Sequence, residues 1–284
     1  MRPAVVKVCN QLNLTRVWVT PFFRVTEHVP KLRELTTFMK SFEHDSHRVI
    51  LQIMGTDAER LAETALRAME AGAAGIDLNC GCPSHQVVAH GAGAGSLKNI
   101  PRTTEIIRAM RKKIGDKVFF SIKTRLGFDR FTECQDFLPR WQEAGHPDMF
   151  TLHYRTAREG YLSVAGRDER LRAARLLLDN SALVFGNGDI AEENAARQLA
   201  GSLALDGTMI GRAFWRDPFM LKRAFEQSQV NAVEGRKMLW EKLSVLPMGE
   251  DAWGIGSAIE MASLILGANS PEAEELKKRF PKRR

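Results

Sequence analysis

Cysteine is scarce in this sequence, with four residues in a chain of 284. Cys9, Cys80, Cys82 and Cys134 are too few and too scattered to form a disulfide scaffold. Cys80 and Cys82 flank one glycine, but no second cysteine pair completes the set of ligands that a zinc site needs. The sequence therefore predicts reduced thiols and no metal centre.

Long apolar runs are also missing. No stretch reaches the roughly 18 consecutive apolar residues that cross a membrane. The opening residues MRPAVVKVCNQLN lack the apolar core and the cleavage site of a secretory signal. We therefore expect a cytoplasmic protein that does not associate with membranes.

Acidic residues are outnumbered by basic ones. The chain has 34 Asp and Glu against 41 Lys and Arg, which gives a formal net charge of +7. A basic surface favours an acidic partner, and nucleic acid is the first candidate. A solvated excess of basic residues with no partner is the alternative that charge alone leaves open.

Short apolar runs recur through the first two thirds of the chain and predict buried strands. Their apolar character is almost unbroken, which is typical of a parallel sheet that is covered by helices or closed on itself. The seven runs are 16–22, 49–55, 74–80, 117–127, 148–155, 182–190 and 206–212.

Amphipathic segments lie between these runs and predict helices. The clearest covers 56–72, where Thr56 or Asp57 is the expected N-cap and Gly72 the end. The segment 101–115 repeats the pattern. Alternating strands and helices predict an α/β fold, and seven such units favour a TIM-type (β/α)8 barrel over a doubly wound sheet.

The sequence changes character after Trp215, where strand patterns stop and helical patterns continue. We therefore predict a barrel over residues 1–219 and a small helical domain over residues 220–284. The chain ends in the basic run KKRFPKRR (277–284). A phosphate contact and a solvated terminus are both open interpretations of this run.

Polar residues and glycines gather where the predicted strands end, which is where TIM-type barrels carry their active sites. Parallel strands end at one edge, so these residues are expected to surround one mouth that binds a polar cofactor. They are Gln52, Gly55, Asn79, Cys82, Lys123, Arg125, His153, Arg155, Asn187, Gly188, Asp189, Gly211 and Arg212.

Several of these residues have ordinary structural interpretations when they are taken singly. Cys82 alone fits a quiet buried thiol, and His153 alone fits a satisfied core histidine. Arg125 and Arg155 alone fit ion pairs at a barrel rim. Lys123 differs, because an unpaired ammonium within an apolar strand is costly.

A glycine-rich run, GAGAGS (91–96), lies shortly after the Cys-Gly-Cys triplet at 80–82. It lacks the lysine that a P-loop carries at a fixed offset, so it does not indicate a nucleotide triphosphatase. Instead, it predicts a mobile segment beside Cys82.

Five motifs together resemble those of the tRNA-dihydrouridine synthases, flavin enzymes that reduce uridine in tRNA. The most specific are Asn-x-Gly-Cys-Pro, which starts at Asn79, and His-x-Arg-Thr-x-x-x-Gly-Tyr, which starts at His153. In chain order the motifs are DLNCGCPSHQV (77–87), KTRLGFD (123–129), LHYRTAREGY (152–161), FGNGDI (185–190) and TMIGR (208–212).

The resemblance implies FMN at the barrel mouth, with NADPH as its reductant. It places Gln52 and Asn79 on the flavin ring and Lys123 near the pyrimidine edge of that ring. His153 is also implied to contact FMN. The residues implied around the phosphate are Asn187, Gly188, Gly211 and Arg212, and Asp189 is implied to bind the cofactor.

The resemblance also implies the roles of the remaining site residues. Cys82 is the implied acid, because a thiol with an ordinary pKa of about 8.5 is protonated at neutral pH and can donate its proton to uracil C5. Arg125, Arg155 and Tyr161 are implied to bind the substrate, whose base has to be flipped out of the folded tRNA. We expect a monomer.

The chain departs from the family pattern at its N-terminus. Family members begin with a strand that carries an Ala-Pro-Met motif, whereas residues 4–14 match the helix that follows this strand. Seven strands then remain, and such a gap exposes two sheet edges. A start upstream of Met1 is the explanation we expect. A non-catalytic RNA-binding remnant is the alternative, and a flavin barrel that reduces a free pyrimidine is a third hypothesis.

Overall fold

Parallel strands form a single sheet at the centre of the molecule, of which the computed structural model describes residues 3–14, 17–40, 42, 48–201, 203–245 and 255–279. The strands are β1 (Trp18–Val19), β2 (Phe23–Arg24), β3 (Val49–Met54), β4 (Gly75–Cys80), β5 (Phe119–Arg125), β6 (Met149–His153), β7 (Leu183–Asn187) and β8 (Gly207–Met209). Both β1 and β2 pair with β3, so the sheet has seven strand positions in the order β1-β3-β4-β5-β6-β7-β8.

Helices connect the strands and cover the sheet. Those up to the last strand are α1 (Pro3–Gln11), α2 (Leu32–Lys40), α3 (Ala58–Glu70), α4 (His85–Ala89), α5 (Ile100–Ile114), α6 (Cys134–Gly145), α7 (Arg167–Arg175) and α8 (Glu193–Gly201). After β8 follow α9 (Ala213–Arg216), α10 (Met220–Glu226), α11 (Ala232–Ser244), α12 (Ile255–Ile265) and α13 (Pro271–Arg279). The regular alternation from β3 to β8 confirms the predicted TIM-type arrangement.

Local sequence signals set the bounds of the best-defined helices. The side chain of Asp57 accepts a hydrogen bond from the Arg60 N–H at 2.8 Å, so this residue rather than Thr56 is the N-cap of α3. Gly115 ends α5 with a φ of +74°, a conformation that glycine adopts without strain. Both helices therefore begin and end where the sequence pattern places them.

The prediction of one continuous strand over 16–22 is wrong. The described chain has β1 and β2 at this point, two short strands separated by Pro21. Proline has no backbone N–H to donate to a neighbouring strand, so a continuous strand cannot run through it. Residue 16 lies outside the described residues.

The sheet curves strongly, and its two ends approach each other. The Lys123 ammonium of β5 reaches the Asn187 side chain of β7 at 2.8 Å, across the intervening strand β6. Trp18 of β1 packs edge-on against Phe214, which follows β8, with ring centroids 6.0 Å apart. Trp18 also donates to Asn10 of α1 at 2.7 Å. The Trp18–Phe214 contact forms a seam between β1 and β8, the two ends of the hydrogen-bonded strand order in the described residues.

The helices after β8 pack back onto the barrel. Helix α10 contacts α8, α12 contacts α9, and α11 contacts α1 at the other end of the chain. The division into domains at residues 219 and 220 stays a prediction. Of the basic run at 277–284, Lys277 contacts Glu274 and the Ala268 carbonyl, and residues 280–284 lie outside the described residues. In the described part of the chain, no helix has the length and apolar character to cross a membrane.

Candidate functional site

A cavity of about 690 Å³ opens at the carboxyl ends of the strands. Its position is the one that parallel β/α barrels use for binding and chemistry. The lining residues are Phe22, Asn79, Gly81, Cys82, Pro83, Lys123, Arg125, His153, Tyr161, Asn187, Gly188, Asp189, Ile190, Ala191, Met209, Ile210, Gly211, Arg212, Ala213 and Arg216.

Strand register explains why the polar residues meet here. Side chains alternate along a strand, so every second residue faces the barrel interior. Asn79 of β4 pairs with Lys123 of β5. One step nearer the mouth, Arg125, His153 and Asn187 pair across β5, β6 and β7. These five polar residues therefore stand on neighbouring levels of one wall.

Cys82 lies on a loop whose backbone is held from two sides. The side-chain carbonyl of Asn79 accepts hydrogen bonds from the N–H groups of Gly81 at 3.1 Å and of Cys82 at 3.0 Å. The Cys82 carbonyl accepts from the Ala94 N–H at 3.0 Å. Because the thiol is half-buried and lines the cavity, this clamped loop presents it to whatever the cavity binds.

The glycine-rich run is a packed element, so the prediction of an open mobile segment is wrong. Residues 93–97 are buried and belong to a short 3₁₀ helix, Gly93–Lys98. A Cβ at Gly93 would stand 2.7 Å from the Val87 side chain and 2.9 Å from the Cys82 carbonyl. At Gly95 it would stand 2.8 Å from the Val88 carbonyl. The glycines allow this helix to approach the Cys82 loop closely.

The other cysteines have structural surroundings. Cys9, Cys80 and Cys134 are all buried. Burial raises the pKa of the Cys80 thiol to about 12, although a hydrogen bond involving Ser96 opposes this. The interpretation of Cys80 as a packing residue agrees with its burial, and Cys82 is the accessible thiol of the four.

Lys123 supplies a positive charge on the wall of the cavity. Its ammonium donates to the Asn187 side-chain carbonyl at 2.8 Å. Burial lowers the pKa of Lys123 to about 8, and the nearby carboxylate of Asp77 acts against this shift by raising it. The residue is therefore mostly protonated at neutral pH and can stabilise negative charge on a bound group.

His153 is a neutral hydrogen-bond donor in this cavity. Burial, together with the nearby cations Lys123, Arg125 and Arg155, lowers its pKa to about 2. Its Nδ1 accepts a 3.3 Å hydrogen bond from the Arg155 N–H. Because Nδ1 then acts as the acceptor, the ring proton is on Nε2, which leaves that nitrogen able to donate.

Asp189 lines the cavity, but its carboxylate is engaged by the wall. It accepts from both terminal nitrogens of Arg155, and from the Tyr154 hydroxyl at 2.7 Å. Burial raises the pKa of Asp189, but these hydrogen bonds outweigh burial and hold it below its usual value. These partners hold Asp189 beside the Gly188 turn, and its predicted contact with a cofactor stays a prediction.

Arg155 stands behind the cavity wall. It is 2% exposed, is not among the lining residues, and also donates to the Leu162 carbonyl. Its guanidinium ties the loop after β6 to Asp189 after β7. The predicted contact of Arg155 with substrate therefore has no support in this geometry.

Gln52 also lies behind the residues that face the cavity. Its amide nitrogen donates to Asp77 at 2.7 Å, and its amide oxygen accepts from Asn79 at 2.8 Å. Gln52 is not a lining residue. Its predicted contact with a flavin ring stays a prediction, and its observed partners make it a support for Asn79.

An aromatic ring and two guanidinium groups form one rim of the cavity. Tyr161 is 65% exposed, and its ring centroid lies 5.7 Å from the Arg125 guanidinium and 5.2 Å from that of Arg212. Arg125 is buried and donates to the carbonyls of Gly81, Thr156 and Gly160. Arg125 thereby connects the Cys82 loop to the loop that carries Tyr161.

Two candidate functional residues, Arg216 and Asp77, are not among those predicted from the sequence. Arg216 lines the cavity one helical turn after Arg212, and the spacing of four residues is a signal that was available. Asp77 is fully buried and faces the same side of β4 as Asn79. A charged residue within an apolar strand is the signal that could have identified it.

The cavity fits an anionic group with a polar ring system. Gly188 has a φ of +105°, and a Cβ at Gly211 would meet no atom within 4 Å, so backbone borders open space at this end. Arg212 and Arg216 stand at the same end. Asn79, Lys123 and His153 line the same cavity and add an amide, an ammonium and an imidazole N–H, so the lining suits a phosphate and a heteroaromatic ring.

Comparisons with known proteins agree on one family. A sequence profile described as Dihydrouridine synthase (Dus) matches residues 2–248. A protein of Staphylococcus aureus named "Probable tRNA-dihydrouridine synthase" is 32% identical over 186 residues, which cover 64% of this chain and 55% of that protein. The chain thus spans about half the length of this relative. The Escherichia coli "tRNA-dihydrouridine(16) synthase" is 30% identical over 211 residues, 72% of this chain and 66% of that protein.

Among solved structures, the fold is shared with histamine dehydrogenase from Rhizobium sp. 4-9. The TM-score is 0.60 at 12% sequence identity, over 86% of this chain and 46% of that one. An identity this low relates the two proteins in fold alone.

Proposed function

This chain belongs to the dihydrouridine synthase family, and we propose that it is a flavin-dependent oxidoreductase that reduces a uridine of tRNA to dihydrouridine. One observation carries the proposal: a half-buried thiol, Cys82, shares a cavity with the cation Lys123 and the neutral donor His153. The names of the relatives and the net charge of +7 support tRNA as the substrate.

FMN is the proposed cofactor and NADPH its proposed reductant. Asn79, Lys123 and His153 would hold the ring system, because they present an amide, an ammonium and an imidazole N–H to one part of the cavity. The residues proposed around the phosphate are Asn187, Gly188, Gly211, Arg212 and Arg216.

Reduced flavin, when bound, would supply a hydride to C6 of the uracil ring. Cys82 would donate its thiol proton to C5 and regain a proton from solvent, since the clamped loop fixes the thiol in the cavity wall. Lys123 stabilises negative charge on the ring that it faces. Proton donation therefore comes from a residue that the fold holds in place.

The rim supports the proposed recognition of the flipped base. Tyr161 offers an exposed aromatic face flanked by Arg125 and Arg212, an arrangement suited to stacking and to phosphate contacts. We propose that Arg125 and Tyr161 bind the uridine and its backbone. A monomer in the cytoplasm is the form in which we expect the protein to act.

The test is reconstitution with FMN followed by assay of dihydrouridine in tRNA. We expect flavin absorbance, NADPH oxidation and dihydrouridine formation from the wild-type protein. Cys82→Ala should retain FMN and lose dihydrouridine formation, whereas Cys134→Ala, a buried thiol on α6, serves as the matched control.

Each other outcome points to a different hypothesis. Dihydrouridine formed at the wild-type rate by Cys82→Ala would remove Cys82 from the reaction. Retention of tRNA without FMN binding would support the RNA-binding remnant. Reduction of free uracil but not of tRNA would support the free-pyrimidine reductase.

A further inference from the structure

A buried carboxylate lies one layer below the cavity and outside the roles assigned so far. Asp77 is 0% exposed, and both of its oxygens are engaged. One accepts from the Ser121 hydroxyl at 2.6 Å and the other from the Gln52 amide nitrogen at 2.7 Å. Asp77 is not a lining residue, so it does not contact a group in the cavity.

The hydrogen bonds that start at Asp77 have only one possible polarity. An ionised carboxylate only accepts, so Gln52 has to present its NH₂ group to Asp77 and its oxygen to Asn79. The Asn79 NH₂ donates to that oxygen at 2.8 Å. Its own oxygen then faces the backbone N–H groups of Gly81 and Cys82. The orientation of two amides thus follows from one carboxylate.

The other end of this relay agrees with the same polarity. Backbone N–H groups only donate, so the Asn79 oxygen has to face residues 81 and 82. A reversed Asn79 amide would oppose donors to donors at the loop, and a reversed Gln52 amide would oppose acceptor to acceptor at Asp77. Buried networks of this kind hold one geometry because every member is satisfied.

We propose that Asp77 is a positioning residue for the Cys82 loop, acting through the amides of Gln52 and Asn79. This role rests on the proposed function, since it concerns the thiol assigned there as the proton donor. Asp77 does not itself transfer a proton in this scheme, and its effect reaches the cavity through hydrogen bonds alone.

The decisive experiment reverses one hydrogen bond of the relay. Gln52→Glu places two carboxylates against each other, and adding Asp77→Asn restores a donor at 77 and an acceptor at 52. Alkylation of Cys82 by iodoacetamide at about pH 8, near the ordinary pKa of a thiol, on protein without cofactor, measures how well the loop is held. Cys82 is the accessible cysteine of the four, and Cys82→Ser gives the background.

We expect the alkylation rate of Gln52→Glu to rise by at least about fivefold, the ratio that corresponds to loss of about one hydrogen bond. In the double variant the rate should return to within about twofold of wild type. A folded Gln52→Glu with the wild-type rate would overturn the proposal. So would a folded double variant that keeps the raised rate.

A second variant keeps the proposal testable if Gln52→Glu does not fold. Gln52→Met removes the link between Asp77 and Asn79 with little change in size, and it should raise the alkylation rate by a similar factor. A wild-type rate in folded Gln52→Met would contradict the relay. Circular dichroism and the thermal midpoint establish folding in each case.

Failure of this inference and failure of the proposed function give different results. The alkylation assay uses neither flavin nor tRNA. If Gln52→Glu raises the alkylation rate and the double variant returns it to the wild-type value, while the wild-type protein forms no dihydrouridine, the relay stands and the proposed function falls. If dihydrouridine forms but folded Gln52→Glu is alkylated at the wild-type rate, the proposed function stands and the relay falls. Where both stand, Gln52→Glu should lower kcat more than it raises KM for tRNA, and Asp77→Asn should restore part of kcat.

Discussion

Replacing Gly188 with alanine tests whether the turn after β7 depends on glycine for its backbone. Gly188 has a φ of +105° and lines the cavity. Gly211 lines the same cavity, but its φ is not in the left-handed region, and a Cβ added there would stand in open space. Gly211→Ala is therefore a matched control in which the same methyl group is added without strain.

The expected cost of Gly188→Ala has two parts. Holding alanine at this φ costs about 1–3 kcal/mol of backbone strain. The new Cβ would lie 2.8 Å from a Tyr154 ring carbon and 3.1 Å from a His153 ring carbon. Tyr154 is anchored through its hydroxyl to Asp189, so overpacking adds about 1–3 kcal/mol. The free energy of unfolding should fall by about 2–6 kcal/mol.

Urea unfolding of the cofactor-free proteins measures this difference. The midpoint should fall in Gly188→Ala with the slope unchanged, and Gly211→Ala should stay within about 0.5 kcal/mol of wild type. The proposed function adds a second contrast, because Gly211→Ala should weaken FMN binding while the fold stays intact. A Gly188→Ala protein as stable as the control would refute the argument from φ and contact distance.

Three further predictions concern stability and thiol chemistry. Burial raises the folded-state pKa of Asp77 from 3.8 to about 6. The folded protein therefore holds a proton that the unfolded chain has released, so stability should fall by up to about 3 kcal/mol as pH rises from about 4 to 6. Asp77→Asn should flatten this fall in urea titrations, and an unchanged slope would remove Asp77 as its source. Ellman's reagent should titrate one thiol, Cys82, in native protein and four in urea, and more than one fast native thiol would contradict the burial of the others. Arg155→Met should cost about 1–3 kcal/mol because it leaves Asp189 without the guanidinium that donates to it. Arg212→Met, at the open rim, should cost under about 1 kcal/mol, and equal costs would be inconsistent with the burial of Arg155.

Most of the sheet could be predicted because its strands are buried on both faces. Every residue of β3 and β4 is buried, so their sequences are apolar with few interruptions and stand out from the helices. The strand over 16–22 failed because its apolar residues outweighed Pro21 in the pattern. A strand continues only where its backbone N–H groups can donate to a neighbour, and proline has no N–H. The apolar character of the side chains carries no information about this.

The rule that strand ends meet brings most of the predicted site residues to one cavity. It does not predict which way each side chain faces. Gln52, Arg155 and Asp189 all lie at strand ends, yet each is held by partners in the wall. Those partners come from other strands and loops, and position along one strand carries no information about them. Asn79 and Lys123 face the cavity from equivalent positions, so sequence alone could not separate the two groups.

The glycine-rich run shows how one composition supports opposite structures. Glycine permits a flexible loop, and it equally permits two backbones to approach more closely than any side chain allows. At Gly93 and Gly95 the second use applies, because a Cβ would collide with Val87 or Val88. Only the position of helix α4 distinguishes the two uses, and that position is a tertiary fact.

The seam between β1 and β8 sets an order for folding. Trp18 contacts Phe214, and α1 contacts α11, so these residues meet although most of the chain separates them in sequence. Pairings from β3 to β8 join strands that are close in sequence, and loop closure favours them first. During synthesis, which proceeds from the N-terminus, Trp18 has to wait for residues beyond 214 to emerge. Until then the Trp18 indole lacks its Phe214 contact, so this end of the sheet is the last part to reach its final packing.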